Sequence, residues 1–135
     1  MAVELVIVSH SARLAEGVVE LAGQMAQADV QLVAAGGTDD GGLGTSLAKV
    51  LNAPLAADSS DGVVVLVELG SPGLITEMAL EQLPSWRRAR SRIANAPLVE
   101  GDVVAAVQAS VGGSLDEVVA SAEEAATLDK QARKR

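Results

Sequence analysis

The sequence predicts an α/β domain, doubly wound about a mainly parallel sheet of strand order 2-1-3-4, with helices on both faces and room for a fifth edge strand. Three observations predict it. Short apolar runs rich in β-branched residues recur at Val3 to Val8, Val30 to Ala35 and Val63 to Val67, with a weaker run at Ser91 to Ala94. Near-continuous runs of this kind mark parallel strands covered on both faces. Between them apolar residues are spaced three or four apart, as on one face of a helix, and the connections are short, so strand and helix alternate into parallel units.

Taken in order, Leu14, Val18, Leu21, Ala22 and Met25 form the apolar face expected of the first helix. Thr45 to Ala57 reads as helical, but Pro54 predicts a break or kink near Asn52. Ser71 before Pro72 reads as an N-cap followed by proline in the first turn. Val103, Val104, Val107 and Val111 predict the buried face of the next-to-last helix. Ser114 with Glu117 has capping-box spacing, and Leu115, Val118, Val119, Ala122 and Ala126 continue one apolar face. Residues 1–128 read as one domain and 129–135 as a solvated tail.

With 135 residues the chain is long enough for a real core. A single aromatic residue, Trp86, leaves that core to Val, Leu, Ile and Ala. The net charge of -8 and the absence of a basic stripe interleaved with aromatics argue against nucleic acid and anionic membranes. Arg87, Arg88, Arg90 and Arg92 read as a solvated helix end and loop. The chain has no cysteine, which excludes disulfides, thiolate catalysis and cysteine-based zinc sites. No apolar run approaches the roughly 20 residues of a spanning helix, and no secretory leader is evident, so a cytoplasmic protein is expected.

In the 2-1-3-4 order, ligands bind where strands one and three end and the winding reverses. Three loops meet there: Ser9-His10-Ser11, the glycine-rich Gly36 to Gly44, and Glu68 to Gly73. His10 is the only histidine. A histidine here serves as base, metal ligand, phosphate carrier or satisfied polar residue. Glu68 ends the neighbouring strand, so its carboxylate is placed to take one ring N–H and leave the other nitrogen as a lone pair. Ser11 and Ser71 are expected helix N-caps whose following amides favour an anion. Gly36, Gly37, Gly41, Gly42 and Gly44 permit close backbone approach, and Thr38 offers a hydroxyl.

Other chemistries fit less well. Gly37 and Gly42 have Walker spacing, but Leu43 stands where lysine is needed. The glycines do not form a dinucleotide fingerprint, and no G-x-S-x-G elbow occurs. A metal site would have only His10 with Asp39, Asp40 or Glu68, so no metal and no cofactor are expected. A receiver domain would need an acidic pair where Ser9 and His10 stand.

IVSHSARLAEGVVELAGQM, AAGGTDDGGLGTS, GVVVLVELGSPG and NAPLVEG, in that order, resemble the IIA domain of the phosphoenolpyruvate-dependent dihydroxyacetone kinase phosphotransferase subunit, a relative of mannose-type IIA domains. The resemblance covers about residues 3 to 125. It implies a cytoplasmic phosphotransferase in which His10 takes a phosphoryl group from the phosphocarrier HPr and passes it to ADP in a kinase L subunit, while a K subunit binds dihydroxyacetone. It also implies a homodimer, and it places Leu69, Gly70 and Ser71 in the family's loop after strand three. The phosphate-binding set is then Ser11, Gly37, Thr38, Gly70 and Ser71. Leu14 and Leu74 are candidates for a docking patch. Glu68 stands where the family more usually has aspartate. The alternatives are a mannose-type sugar IIA component, a small tetrapyrrole metal chelatase-like protein, whose usual second histidine is missing, and an interaction domain without chemistry.

Overall fold

The computed structural model describes residues 2–27, 29–57 and 61–131, with the backbone alone for 54–57. Within the expected tail, residues 132–135 lie outside the described part. In chain order the elements are β1 (Glu4–Ser9), α1 (Ala12–Gly23), β2 (Leu32–Gly36), α2 (Leu47–Ala57), β3 (Val63–Val67), α3 (Ser71–Glu81), α4 (Ser85–Arg88), β4 (Ser91–Ala94), α5 (Leu98–Ser110) and α6 (Leu115–Glu124), followed by one 3-10 turn (Ala125–Thr127).

The sheet is all parallel in the order β2-β1-β3-β4. Its register sets Ser9 opposite Gly36 and Val8 opposite Val67, so the three strands beneath the site end level. Because side chains alternate along a strand, Leu5, Ile7, Val64 and Leu66 belong to one core under α1, α5 and α6, and Val6, Val8, Val63 and Val65 to another against α2 and α3. Leu5, Ile7 and Leu66 are fully buried, each worth roughly 2 kcal/mol of transfer free energy.

Several expectations are corrected. Among the described residues the sheet has four strands and no fifth, because everything from Leu98 to Thr127 is spent on helices and turns that cover one face. Helix α2 runs unbroken through Pro54, which cannot donate to the Val50 carbonyl. Val50 and Ala53, packed into the second core, hold the helix in place there. In α1 the buried residues are Ala15, Val18 and Ala22, while Leu14, Leu21 and Met25 stay exposed. The valines of α5 likewise do not make its fully buried face, and of the four expected there Val103 packs half-buried against the first core. Gly101, Asp102, Ala105, Ala106 and Ala109 are buried, and Val107 and Val111 are exposed. The small side chains let the helix come close: a Cβ on Gly101 would lie 3.2 Å from a Leu66 methyl.

The capping box at Ser114 forms as expected, with Ser114 Oγ accepting from the Glu117 amide at 3.2 Å and the Glu117 carboxylate accepting from the Ser114 amide at 2.8 Å. At the opposite end of the sheet from His10, Trp86 is half exposed, with the guanidinium groups of Arg87 and Arg90 at 4.8 and 5.1 Å from its ring centre. Arg87, Arg88 and Arg90 thus sit on a short helix and the loop after it, as the charge pattern predicts, whereas Arg92 lies within β4, opposite Val64. No helix among the described residues is long and apolar enough to cross a membrane.

Candidate functional site

Ser9 is the last residue of β1, fully buried, and its side chain faces the α5 side of the sheet. Glu68 follows β3 by one residue, and its amide donates to the Val8 carbonyl, which fixes it beside Ser9. Glu68 Oε1 then accepts three hydrogen bonds: from the Ser9 hydroxyl at 2.7 Å, the His10 amide at 3.0 Å and His10 Nδ1 at 3.2 Å. These donors hold its carboxyl below the usual carboxylate range, the Ser9 hydroxyl contributing most and the His10 amide next. An ionised carboxylate only accepts, so Nδ1 carries a proton.

The other ring nitrogen faces a hydroxyl. Ser71 Oγ lies 3.0 Å from His10 Nε2, and Thr45 Oγ1 lies 2.8 Å from Ser71 Oγ. In a neutral ring with Nδ1 protonated, Nε2 is an acceptor, so Ser71 donates to it and Thr45 donates to Ser71. The line Thr45, Ser71, His10, Glu68 is therefore directed, and it leaves the Nε2 lone pair at a side chain that is 36% exposed.

Ser11 is the N-cap of α1, its Oγ accepting from the Leu14 amide at 3.2 Å. Ser71 is not the N-cap of α3. Gly70 takes that position with φ +83°, a left-handed conformation suited to glycine, and Ser71 becomes the first helical residue, its hydroxyl freed for His10. Gly70 packs directly on the imidazole, since a Cβ there would lie 3.7 Å from His10 Cε1.

The glycine-rich loop is tied to itself. Gly37 donates its amide to the Ser9 carbonyl, Thr38 donates its amide to the Gly42 carbonyl and its hydroxyl to Asp40, and Gly44 donates to the His10 carbonyl. Gly37 and Thr38 thus have their donors engaged, and the loop braces the β1 end. Gly36 allows the closest approach, because a Cβ there would sit 2.5 Å from the Ser11 carbonyl oxygen. At the helix starts that face His10, the backbone amides of Ala12 and Arg13 in the first turn of α1, and of Gly70 and Ser71 at the start of α3, have no acceptor among the described residues.

Ser9 and Thr45 complete the site, although nothing in their residue type marks them. Their signal is position: a polar residue closing an apolar strand, and a hydroxyl directly after the last glycine of the loop, in GTS. Leu14 and Leu74 are both exposed around the mouth, Leu74 at the start of α3 and Leu14 at the start of α1. A cleft of about 450 Å³ opens on the far side of Glu68, between Leu69 and Gly70 on one wall and Asn95, Ala96 and Pro97 on the other. No group of three or more metal-ligating side chains occurs among the described residues.

The family described as the PTS system fructose IIA component matches residues 4–119. The chain belongs to this family. Among similar proteins, the phosphoryl donor subunit DhaM of the PEP-dependent dihydroxyacetone kinase of Escherichia coli (strain K12) is 44% identical over 120 residues, covering 87% of this chain and 25% of that protein. The phosphoryl donor subunit DhaM of PEP-dependent dihydroxyacetone kinase 2 of Listeria innocua serovar 6a is 34% identical over 117 residues, covering 87% of this chain and 94% of that one. The chain thus spans about a quarter of the length of the enterobacterial relative and nearly all of the Listeria one. The crystal structure of EF1359, a protein of unknown function, superposes with a TM-score of 0.80 at 28% identity, covering 91% of this chain and 94% of that chain.

Proposed function

We propose that this IIA domain is the phosphoryl donor subunit of a dihydroxyacetone kinase, with His10 as the phosphorylated residue. The observation that carries the reading is the protonated Nδ1 held by Glu68, which leaves Nε2 as a nucleophile at an open mouth. The names of the relatives in Escherichia coli and Listeria supply the reaction.

In this reading the Nε2 lone pair attacks the phosphorus of phosphohistidine on HPr in line. The new N–P bond forms as the donor's N–P bond breaks and its electron pair returns to the donor ring. Positive charge grows on the His10 ring, and the Glu68 carboxylate balances it through Nδ1–H. Ser71 releases Nε2 and turns its hydroxyl to a phosphoryl oxygen. The unpaired amides at the starts of α1 and α3 are the donors at hand for the other oxygens. Thr45 keeps Ser71 aimed throughout, and Ser11 orders the first turn of α1. In the second half of the cycle a terminal phosphate oxygen of ADP bound in an L subunit attacks the same phosphorus, the Nε2–P bond of His10 breaks with its electron pair returning to the ring, and ATP is formed, while a K subunit holds dihydroxyacetone. Both partners need the same mouth, so they bind in turn and the kinetics are ping-pong. The working form is a homodimer.

The test is labelling from phosphoenolpyruvate through enzyme I and HPr. An acid-labile, base-stable label is expected on the wild type and none on His10→Ala. Transfer of that label to ADP on addition of the L subunit is expected next. Undiminished labelling of His10→Ala would overturn the assignment.

A further inference from the structure

On the face turned away from the sheet, helix α1 carries three features that the fold itself does not use. Gly17 sits in mid-helix, where glycine is destabilising relative to alanine, and no atom of the chain lies within 4 Å of where its Cβ would be. Glu16 and Glu20 flank it at i,i+4 spacing, a like-charge pair that weakens a helix. Arg13 stands in the first turn, the end of a helix at which a cation is unfavourable. All four residues are exposed, and together they line one shallow depression of about 470 Å³.

Their charges are unanswered within the chain. Every other described lysine and arginine has a hydrogen bond, an ion pair or the Trp86 ring as partner, whereas Arg13 has none. Glu16 and Glu20 likewise form no ion pair among the described residues.

The depression runs on from the mouth at His10, because α1 begins there. At 1.5 Å per residue Gly17 lies about 8 Å along the helix from Ala12, its first residue. Even a transient protein contact covers about 500 Å² a side, a disc of about 13 Å radius. A protein centred on His10 therefore reaches Gly17 as well. A chain bound there permanently would cover Leu14 and shut the mouth, so the occupant is one that comes and goes. An imidazole is a short side chain, and a protein that offers a phosphohistidine has to lie flush against this surface, whereas a nucleotide can extend from deeper within its own protein.

We propose that this flank of α1 is where the phosphohistidine donor rests while its phosphorus meets His10 Nε2. The donor sets basic side chains over Glu16 and Glu20 and an acidic one at Arg13, and its backbone packs close over Gly17. The order of charges, positive at the mouth and negative beyond, admits the donor in one direction only. The role of this flank rests on His10 being the phosphorylated residue, and what it adds is the choice of donor.

The test is initial-rate labelling of His10 from phosphorylated HPr, beside labelling from phosphoramidate, a small donor that releases ammonia as the Nε2–P bond forms. Gly17→Gln is expected to melt about 3 °C above the wild type, because the helix loses its glycine. Its KM for phosphorylated HPr is nonetheless expected to rise about tenfold. Glu20→Lys is expected to raise that KM about fivefold and to flatten its dependence on salt. Glu81→Lys, on α3, makes the same change in net charge and is expected to keep the wild-type KM. Phosphoramidate is expected to label all of them at the wild-type rate. A wild-type KM in Gly17→Gln or Glu20→Lys, or an equal loss with phosphoramidate, would overturn the docking surface and leave His10 standing. So would a dimer in the wild type that falls to a monomer in Gly17→Gln, which would give the face to a second copy. A wild type that takes no label from either donor would overturn both.

Discussion

The perturbation that isolates one buried charge is Asp102→Asn. Asp102 lies on the inner face of α5, is fully buried, and neither carboxylate oxygen has a hydrogen-bond partner. Burial alone pushes its carboxyl up from 3.8 to about 7. The folded state therefore holds the proton more tightly than the unfolded chain does. The stability this represents is complete below pH 4 and is lost as the pH rises towards 7. A shift of about three units at about 1.4 kcal/mol each puts the loss at roughly 4 kcal/mol, a ceiling that any water reaching the carboxyl would lower.

Asparagine has the shape of the protonated acid and cannot ionise, so it keeps the cost of a buried polar group and removes only the titration. In urea unfolding at constant temperature, the two proteins are expected to be equally stable near pH 4. Asp102→Asn should gain steadily up to pH 7 and hold a plateau of a few kcal/mol at pH 8. Parallel stability curves from pH 4 to 8, or a variant less stable at pH 8, would refute the reasoning.

Four further outcomes follow from the site and the caps. Ser9→Ala removes the largest contribution holding the Glu68 carboxyl down. Its pKa should rise, and since the carboxylate is lost as pH falls through that value, the acid limb of the labelling rate should move to higher pH. The pH profile against wild type checks this. Glu68→Gln should fold with an unchanged melting temperature and accept phosphate roughly 10- to 100-fold more slowly, in rapid-quench labelling, because an amide cannot balance the ring charge. Gly36→Ala drives a methyl against the Ser11 carbonyl oxygen and should lower stability by about 3 kcal/mol in urea unfolding, far beyond an ordinary surface change. Ser114→Ala should cost about 1 kcal/mol in the same assay through loss of the capping box.

The strands were legible because each is a continuous β-branched run with cores on both sides, and β3 and β4 begin and end where the sequence puts them. The strand order followed from alternation and short connections, and with it the meeting of His10 and Glu68 across 58 positions. Which face a helix buries was less legible. In α5 valine and alanine stripes run side by side, and periodicity cannot tell that the smaller stripe wins by allowing closer approach to Leu66. Asp102 was hidden for the same reason, as a charge in the alanine stripe. The sequence puts the cap of α3 one residue late, at Ser71, because serine before proline is a common cap, whereas a glycine with positive φ takes the cap here. The glycine-rich loop has the composition of an anion cradle, but the destination of each amide is a three-dimensional fact, and Gly37 and Thr38 spend theirs on Ser9, Gly42 and Asp40.

Trp86 is the only aromatic side chain, stacked between two arginines just before β4 begins and at the end of the sheet away from His10. The protein therefore carries a single intrinsic fluorophore, and every change in its emission is a report from one address. Quenchers will read the arginine-flanked corner of α4. Denaturation followed by fluorescence will time the loss of the β4 edge, and loosening of the loops around His10 can go by in silence. Circular dichroism at the far ultraviolet, which sums over all the helices, is the companion signal: the two curves coincide only if the edge and the helices let go together.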